Sequence, residues 1–320
     1  MRIDIHHHVL PREYVAALAR LGVTGGGGVA FPPWDAASTL EMMDRQGIAA
    51  AVTSISAPGV HFGDDRAAGS LARRCNELSA RLVAEHPTRF GAFAVLTLPD
   101  VKGALQELEY ALDDLALDGV VLLASHSDGR YLGDPLFDDL LAELDRRSAV
   151  VLVHPAVPKS SESLPLDLPG AMVEFTFDTT RAALNLVFRG ATARFPNVRY
   201  VLSHAGGTIP YLAGRIALTG ALPGLRERVP DGPLPHLRRF FYDTALSATP
   251  HALRSLQELV GPDRILFGSD FPFAPEPVAR ASIDGLARYD GFDDAGRRRI
   301  DGENALALLP RLAARVGVAR

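Results

Sequence analysis

Side chains that could bind a metal ion stand at four separated places in the 320-residue chain. They occur in Asp4-Ile5-His6-His7-His8, Val153-His154-Pro155, Ser203-His204-Ala205 and Gly268-Ser269-Asp270. Neutral imidazoles with a carboxylate, and without a thiolate, form a ligand set that suits zinc or a similar borderline divalent ion. Whether these distant positions form one site depends on the elements that carry them.

Short β-rich runs alternate with longer segments of helical spacing along the whole chain. Runs such as Val150 to Val153 are apolar at every position, which is typical of a parallel sheet covered on both faces. Eight β/α units in about 290 residues fit a closed (β/α)8 TIM barrel better than an open sheet. We therefore predict one barrel domain over residues 1–320, with one or two extra helices from Asp290 to Arg320. The predicted strands are Arg2 to His6, Ala50 to Ile55, Phe90 to Leu96, Gly119 to Leu123, Val150 to Val153, Arg199 to Ser203, Phe240 to Asp243 and Arg264 to Gly268.

The candidate ligands stand where barrel enzymes hold their active sites. Side chains alternate along a strand, so we expect Asp4, His6 and His8 to project to one side and His7 to the other. Five candidates then lie at the carboxyl ends of strands, the face that carries the active site in barrel enzymes. They are His6, His8, His154, His204 and Asp270. Five such positions on one rim predict a metal site.

One ion is favoured over two. A dinuclear barrel needs a bridging group, commonly a modified lysine at the end of the fourth strand, and the chain has only Lys102 and Lys159. The fourth predicted strand ends in Leu122-Leu123-Ala124-Ser125-His126, so His126 leaves the number of ions open. His61, in the loop after the second strand, either lines a substrate pocket or only packs there. The histidines predicted to be surface or packing residues are His7, His86, His126, His236 and His251.

Three segments are predicted to be loops. The run Gly25 to Gly28 lacks the Lys-Ser/Thr that follows a phosphate-binding loop, and we expect a flexible stretch there. Long loops from Ala156 to Phe177 and from Gly220 to Arg238 are candidate lids or interface segments. A helix is predicted after the first of them, over Thr179 to Arg194.

Composition argues against several classes of partner. The 33 basic and 38 acidic residues give a net charge of −5, which offers no long-range attraction to nucleic acid or to an anionic membrane. No uncharged apolar run approaches the ~20 residues that cross a bilayer. Cys75 has no partner for an intrachain disulfide, and no apolar signal core precedes the first charges of the N-terminus. These features predict a reduced, cytoplasmic protein.

Together these motifs resemble the amidohydrolase superfamily, and within it the branch of aminocarboxymuconate-semialdehyde decarboxylase and related aromatic acid decarboxylases. The resemblance covers nearly the whole chain. It rests on Ile3 to Pro11, Phe90 to Phe93, Val153 to Pro155, Ser203 to Gly207, Tyr211 to Ile216, Phe241 to Ala245 and Phe267 to Phe273.

The resemblance assigns roles to individual residues. His6, His8, His154 and Asp270 match the metal ligands of the family, and His204 matches an acid/base histidine beside them.

Within the family, the resemblance indicates a dimer and one particular branch. Arg215 matches an arginine that can reach the substrate carboxylate of the neighbouring subunit, which implies a homodimer. The muconate semialdehyde fits poorly as substrate, because Gly22 to Trp34 is short and lacks the arginine of an inserted hairpin, and Ala156 replaces a tryptophan. The loop Ser56 to Asp64 and the helix start Asp178 to Arg181 resemble more closely the branch that includes 6-methylsalicylate decarboxylase.

The resemblance implies a non-oxidative decarboxylase of a small, salicylate-like carboxylic acid, with one divalent ion that is zinc or, as the alternative, manganese. The ring carbon must be protonated before or as CO₂ leaves, because direct loss would leave an unstabilised carbanion. A cation lowers the proton affinity of a neighbouring carboxylate, so Asp270 would take its proton from water or substrate. His204 titrates nearer neutrality and is the alternative donor.

Two other functions stay open at this point. One is a hydrolase of a lactone, amide or C–C bond in which the same ion activates water. The other is a barrel that binds without catalysis, which the complete set of candidate ligands disfavours.

Overall fold

Eight parallel strands form the centre of the fold in the computed structural model, which describes residues 1–164 and 166–317. Their order in the sheet follows their order in the chain. This arrangement confirms the predicted TIM barrel. The strands are β1 (Arg2–His8), β2 (Ile48–Ser54), β3 (Phe90–Val95), β4 (Gly119–Leu123), β5 (Val150–His154), β6 (Arg199–Leu202), β7 (Phe241–Asp243) and β8 (Ile265–Leu266).

Backbone hydrogen bonds between the first and last strands nearly close the barrel. The Ile5 N–H donates to the Phe267 carbonyl at 3.0 Å, and the Asp270 N–H donates to the His6 carbonyl at 2.8 Å. The segment that carries Asp270 therefore lies beside the end of β1.

Helices cover the outside of the barrel, so the strands are buried on both faces, as the apolar runs predicted. All residues of β3 and β5 are buried. In the described part of the chain, no helix is both long and apolar enough to cross a membrane. The helices are α1 (Arg12–Ala19), α2 (Ala36–Gln46), α3 (Asp65–Glu85), α4 (Val101–Glu109), α5 (Asp138–Arg146), α6 (Gly170–Phe188), α7 (Ala191–Arg194), α8 (Ile209–Ala217), α9 (Pro223–Arg226), α10 (Pro233–Leu237), α11 (Pro250–Leu259), α12 (Glu276–Arg288), α13 (Asp294–Arg298), α14 (Asn304–Leu308) and α15 (Pro310–Arg315).

Two predicted loops contain helices. Helix α6 begins at Gly170, so the expectation of a loop through Phe177 was wrong from Gly170 onward. This part of the segment holds Gly170 and Thr176, which are weak helix formers, and tertiary contacts outweigh that preference. One such contact is the hydrogen bond that the Ala171 N–H donates to the Gly27 carbonyl at 2.8 Å. Helices α9 and α10 likewise lie in the segment predicted as a loop from Gly220 to Arg238.

The glycine run forms a packed hairpin rather than a flexible stretch. The short strands Gly25–Gly26 and Val29–Ala30 pair antiparallel. Gly27 and Gly28 connect them with φ angles of +61° and +81°, which other residues rarely adopt. A Cβ atom on Gly27 would lie 2.5 Å from the Phe175 ring. The expected flexibility was therefore wrong, because the hairpin packs directly on α6.

We predict that Gly27→Ala destabilises the protein more than Gly22→Ala. Both glycines have positive φ, so both substitutions carry a similar backbone cost of about 1 kcal/mol. Nothing lies within 4 Å of a Cβ on Gly22, whereas one on Gly27 meets Phe175. The free energy of unfolding from urea titration should fall by about 1 kcal/mol more for Gly27→Ala. Equal losses would contradict the packing of the hairpin on α6.

Candidate active site

Three histidines and one aspartate meet at the carboxyl end of the barrel. The Nε2 atoms of His6 and His8 lie 3.0 Å apart, and Asp270 Oδ1 lies 3.0 Å from His8 Nε2 and 3.3 Å from His6 Nε2. His154 completes the group: one possible ligand atom from each of the four residues lies within 4.8 Å of the others, and all four residues are buried. The structure thus brings together the residues that the resemblance assigned to the metal.

Hydrogen bonds on the far side of each imidazole place the hydrogen of the neutral ring on Nδ1, which leaves Nε2 with a lone pair. Carbonyl and carboxylate oxygens only accept, so an Nδ1 that faces one must carry the hydrogen. The Ser54 hydroxyl donates its own hydrogen to a backbone carbonyl, so it accepts from His8. The pairs are His6 Nδ1 with Asp243 Oδ2 at 2.7 Å, His8 Nδ1 with Ser54 Oγ at 3.1 Å, and His154 Nδ1 with the Pro155 carbonyl at 2.8 Å.

The converging atoms fit a divalent cation. Once the Nε2 atoms are unprotonated, three imidazole lone pairs and a carboxylate oxygen cannot hydrogen-bond one another, but they are the donor set that zinc and similar ions take. Partners on the second imidazole nitrogen are the usual way in which proteins orient such ligands.

Burial and neighbouring charges set the protonation of this group. Burial lowers the pKa of His8 and, with the adjacent imidazoles, holds the pKa of His154 well below its ordinary value. Burial also opposes protonation of His6, but Asp243 and, after it, Asp270 together outweigh burial and raise the pKa of His6 to about 10. For Asp270, hydrogen bonds from the surrounding imidazoles overcome burial and hold the pKa well below its usual range. Asp270 is therefore ionised, and a proton competes with a cation for His6.

Asp243 is a positioning residue that the sequence did not single out. Its Oδ2 accepts from His6, and its Oδ1 accepts the backbone N–H groups of His204 at 2.9 Å and Ala245 at 3.0 Å. His204 has a φ of +55°, which is unusual for a residue other than glycine. One buried carboxylate thus orients His6 and fixes the backbone of His204. Its place at the end of β7, on the same rim as the other candidates, was the available signal.

Asp4 faces His7 and the segment after β8 rather than the candidate ligands. Its Oδ2 accepts from His7 Nδ1 at 2.9 Å, and its Oδ1 accepts the Ser269 N–H at 3.0 Å. Strict alternation would have placed Asp4 with His6 and His8. A register shift in the pairing of β1 with β2, between Asp4 and His7, breaks that alternation. The expectation for Asp4 was therefore wrong, while His6 and His8 converge as expected.

A cavity of about 260 Å³, the reaction cavity, is lined by two of the four candidate ligands, His154 and Asp270. His154, His204 and Asp270 form its polar floor, and His204 Nε2 lies 3.7 Å from Asp270 Oδ2. Within the residues that the structure describes, neither arginine nor lysine lines it. Its apolar walls come from Val29, Met172, Phe175, Leu246 and Phe273. The cavity therefore suits a flat apolar group that presents its polar end to the floor.

The two predicted substrate-binding residues lie outside this cavity. His61 lines a neighbouring cavity, and its Nε2 faces Asp65 Oδ1 at 2.8 Å. Arg215 is exposed on α8. His126 is buried against the Phe137 ring, with centroids 5.0 Å apart, and lies outside the four-residue group. The roles of His61 and Arg215 stay predictions.

Comparison with known proteins identifies the family. A sequence profile described as Amidohydrolase matches residues 3–311. The chain belongs to the amidohydrolase family. Its relatives include the 6-methylsalicylic acid decarboxylase of Penicillium expansum, 36% identical over 315 aligned positions that cover 97% of each protein. The corresponding decarboxylase of Aspergillus aculeatus is 38% identical and aligns with 98% of this chain and 97% of its own length.

The solved structure of another decarboxylase has the same fold. The crystal structure of 2,6-dihydroxybenzoate decarboxylase in complex with 2,6-dihydroxybenzoate superposes with a TM-score of 0.79 at 26% identity. The match covers 96% of this chain and 98% of that one. The family and branch that the sequence motifs indicated are thereby confirmed.

We predict that Asp243→Asn weakens metal binding. The amide removes the negative charge that holds the His6 Nδ1–H, and loss of such a partner typically lowers metal affinity about 10- to 100-fold. Competition of the zinc-loaded protein with a chelating dye measures this affinity. Asp118→Asn is the matched control, because Asp118 is equally buried but pairs with Arg315 at the other end of the barrel. The control should lower the melting temperature and leave the affinity intact; unchanged affinity in Asp243→Asn would refute the positioning role.

Proposed function

We propose that this chain is a metal-dependent, non-oxidative decarboxylase of a small, salicylate-like carboxylic acid. The observation that carries the proposal is the convergence of His6, His8, His154 and Asp270 in an amidohydrolase-family barrel, where His154 and Asp270 also line a mainly apolar cavity. Two relatives named 6-methylsalicylic acid decarboxylase, at 36% and 38% identity, align with this chain over nearly their whole length. The proposal includes one domain over residues 1–320 and a cytoplasmic location, for which the single and buried Cys75 is the supporting feature.

One divalent ion held by these four residues is part of the proposal. Zinc is the preferred ion, since three neutral imidazoles and one carboxylate are a typical set for it, and manganese is the alternative. When bound, the ion supplies orientation and Lewis-acid stabilisation of negative charge.

The size and lining of the reaction cavity support a single aromatic ring as substrate. A benzene ring occupies a cavity of roughly 150 Å³. The reaction cavity of about 260 Å³ therefore has space for a ring with a carboxylate, a hydroxyl and a methyl group. Its walls, which include Met172, Phe175 and Phe273, favour an alkyl substituent over a charged one, because a buried charge needs a partner.

Asp270 and His204 are positioned to transfer a proton to the ring carbon of the substrate. Ionised Asp270 accepts the proton of the substrate's ortho-hydroxyl group and returns it to the ring carbon that bears the carboxylate. The bond from that carbon to the carboxylate then breaks, its electron pair restores the aromatic ring, and CO₂ leaves. The ring oxygen is left as a phenolate, which takes a proton from water to give the phenol. His204, whose Nε2 lies 3.7 Å from Asp270 Oδ2, polarises this carboxylate and is the alternative donor.

We predict that the metal-loaded protein converts 6-methylsalicylate to 3-methylphenol and CO₂. Removal of the ion by a chelator should abolish CO₂ release, and one divalent ion should restore it. Asp270→Asn should lower kcat by about 10²- to 10⁴-fold, the usual value of a positioned acid/base group. The surface variant Asp290→Asn, whose carboxylate is 79% exposed, is the control.

Two results would contradict this assignment. Near-normal turnover by Asp270→Asn would remove its role in proton transfer. Acid release from lactones, with no CO₂ from any ortho-hydroxybenzoate, would identify a hydrolase instead.

A homodimer in which Arg215 reaches the partner's reaction cavity is the second part of the proposal. Helix α8 presents Arg215 next to Tyr211, which is 84% exposed, and the following turn exposes Leu218 at 73%. Exposed aromatic and aliphatic side chains of this size are typical of an interface. The reaction cavity of one subunit has no cationic side chain among the described residues, which leaves the substrate carboxylate without one.

We predict that the protein elutes as a dimer and that Arg215→Ala raises KM for 6-methylsalicylate by about tenfold or more, because a charge-assisted bond to the carboxylate is lost. Light scattering after size exclusion gives the mass, and steady-state kinetics give KM. Arg254→Ala, which removes a surface arginine paired with Asp290, is the control. A monomer with full activity, or an unchanged KM in Arg215→Ala, would exclude this arrangement.

A further inference from the structure

A second cavity adjoins the reaction cavity and is larger than it. Its volume is about 460 Å³, against about 260 Å³ for the reaction cavity. It is lined by residues at the carboxyl end of the barrel, at or after the ends of β2, β3 and β4. Among them are Ile55, Leu98 and Leu123. We call it the side cavity.

The linings of the two cavities share two small residues. Gly26 and Ala57 line both of them. Gly26 has no side chain, and a Cβ atom there would lie only 2.4 Å from the Ala57 carbonyl oxygen. The largest side chain shared by the two linings is therefore the methyl group of Ala57.

The side cavity has an aliphatic inner wall, and two serines and His126 add uncharged polar groups to its lining. Buried leucine and valine side chains form most of that wall. His126 is the one buried ionisable group in the lining, and burial lowers its pKa to about 4, so it is neutral near pH 7. His61 faces Asp65, and Lys159 is exposed at the rim. Such a space binds an apolar group, since an ionised one would lose its hydration without gaining a buried partner.

The capacity of the side cavity exceeds what a methylated ring needs. The ring and its small substituents fit in the reaction cavity, given that benzene occupies roughly 150 Å³. We infer that the side cavity binds a linear alkyl chain carried by the aromatic ring, so that the enzyme accepts salicylates whose chain is several carbons longer than methyl. This inference rests on the proposed function and names its substrate class.

Chain length is the variable that tests the inference. The zinc-loaded protein is assayed with salicylates that carry methyl, propyl or pentyl at the 6-position, and kcat/KM is taken from CO₂ release. Each methylene that leaves water for the aliphatic wall should raise kcat/KM by about three- to fourfold. A flat series, or a fall from methyl to pentyl, overturns the inference.

Two variants that fill the side cavity test whether the rise of kcat/KM with chain length arises there. Leu123→Phe narrows the inner part, and Val157→Phe narrows the rim, where Val157 is 41% exposed and a larger side chain is readily accommodated. Both should cancel the gain for pentyl and leave 6-methylsalicylate unchanged. Leu21→Phe makes the same leucine change at a 58% exposed position outside both cavities and should preserve the gain. A gain that persists in both filled variants overturns the inference.

Calorimetric binding of the same acids separates this inference from the proposed function. If no member of the series releases CO₂, the proposed function fails. Affinity that rises from methyl to pentyl, and loses that rise in Leu123→Phe or Val157→Phe, still supports an alkyl-binding side cavity. Affinity that is independent of chain length refutes it whatever the turnover.

Discussion

The crowding of four electron-pair donors is the constraint on which the site depends. One atom each from His6, His8, His154 and Asp270 lies within 4.8 Å of the others, in a place that water does not screen. Such an arrangement is unfavourable unless a positive charge lies between the donors. The protein keeps them there by fixing the opposite side of each imidazole to a carboxylate, a hydroxyl or a carbonyl. The folded barrel therefore has an affinity for a cation that the unfolded chain lacks.

The strand ends hold the residues for the chemistry, whereas helices and loops around them form the walls that select the substrate. The candidate ligands stand at the ends of strands, whose positions are fixed by the hydrogen bonds of the sheet. The walls of the reaction cavity come from the first turns of α6, the hairpin around Gly27 and the segment around Phe273. Such peripheral elements tolerate sequence change more readily than strands do. This division explains how one barrel and one ligand set can serve acids of different shape.

The sequence predicted the strands and the convergence of the ligands because both follow from local patterns. A fully apolar run that ends in a histidine, as in β5, predicts both its burial and the face that its last residue reaches. The start of α6 and the packed hairpin could not be predicted this way, since contacts between distant segments outweigh the weak preferences of glycine and threonine. The same holds for Asp4, whose direction depends on a register shift, and for Asp243, whose partners come from two other strands.

Closure of the barrel through β1 and β8 has a consequence for the order of assembly. His8 and Asp270 are separated by 262 positions in the chain, and both contribute to the same contact. During synthesis, the first two imidazoles leave the ribosome long before their carboxylate partner exists. Contacts of such long sequence separation form late, because the entropy of closing the intervening chain has to be overcome first. The ion-binding centre is thus completed only when the last strand of the nascent protein has docked, and a truncated chain that ends before it carries histidines without a site.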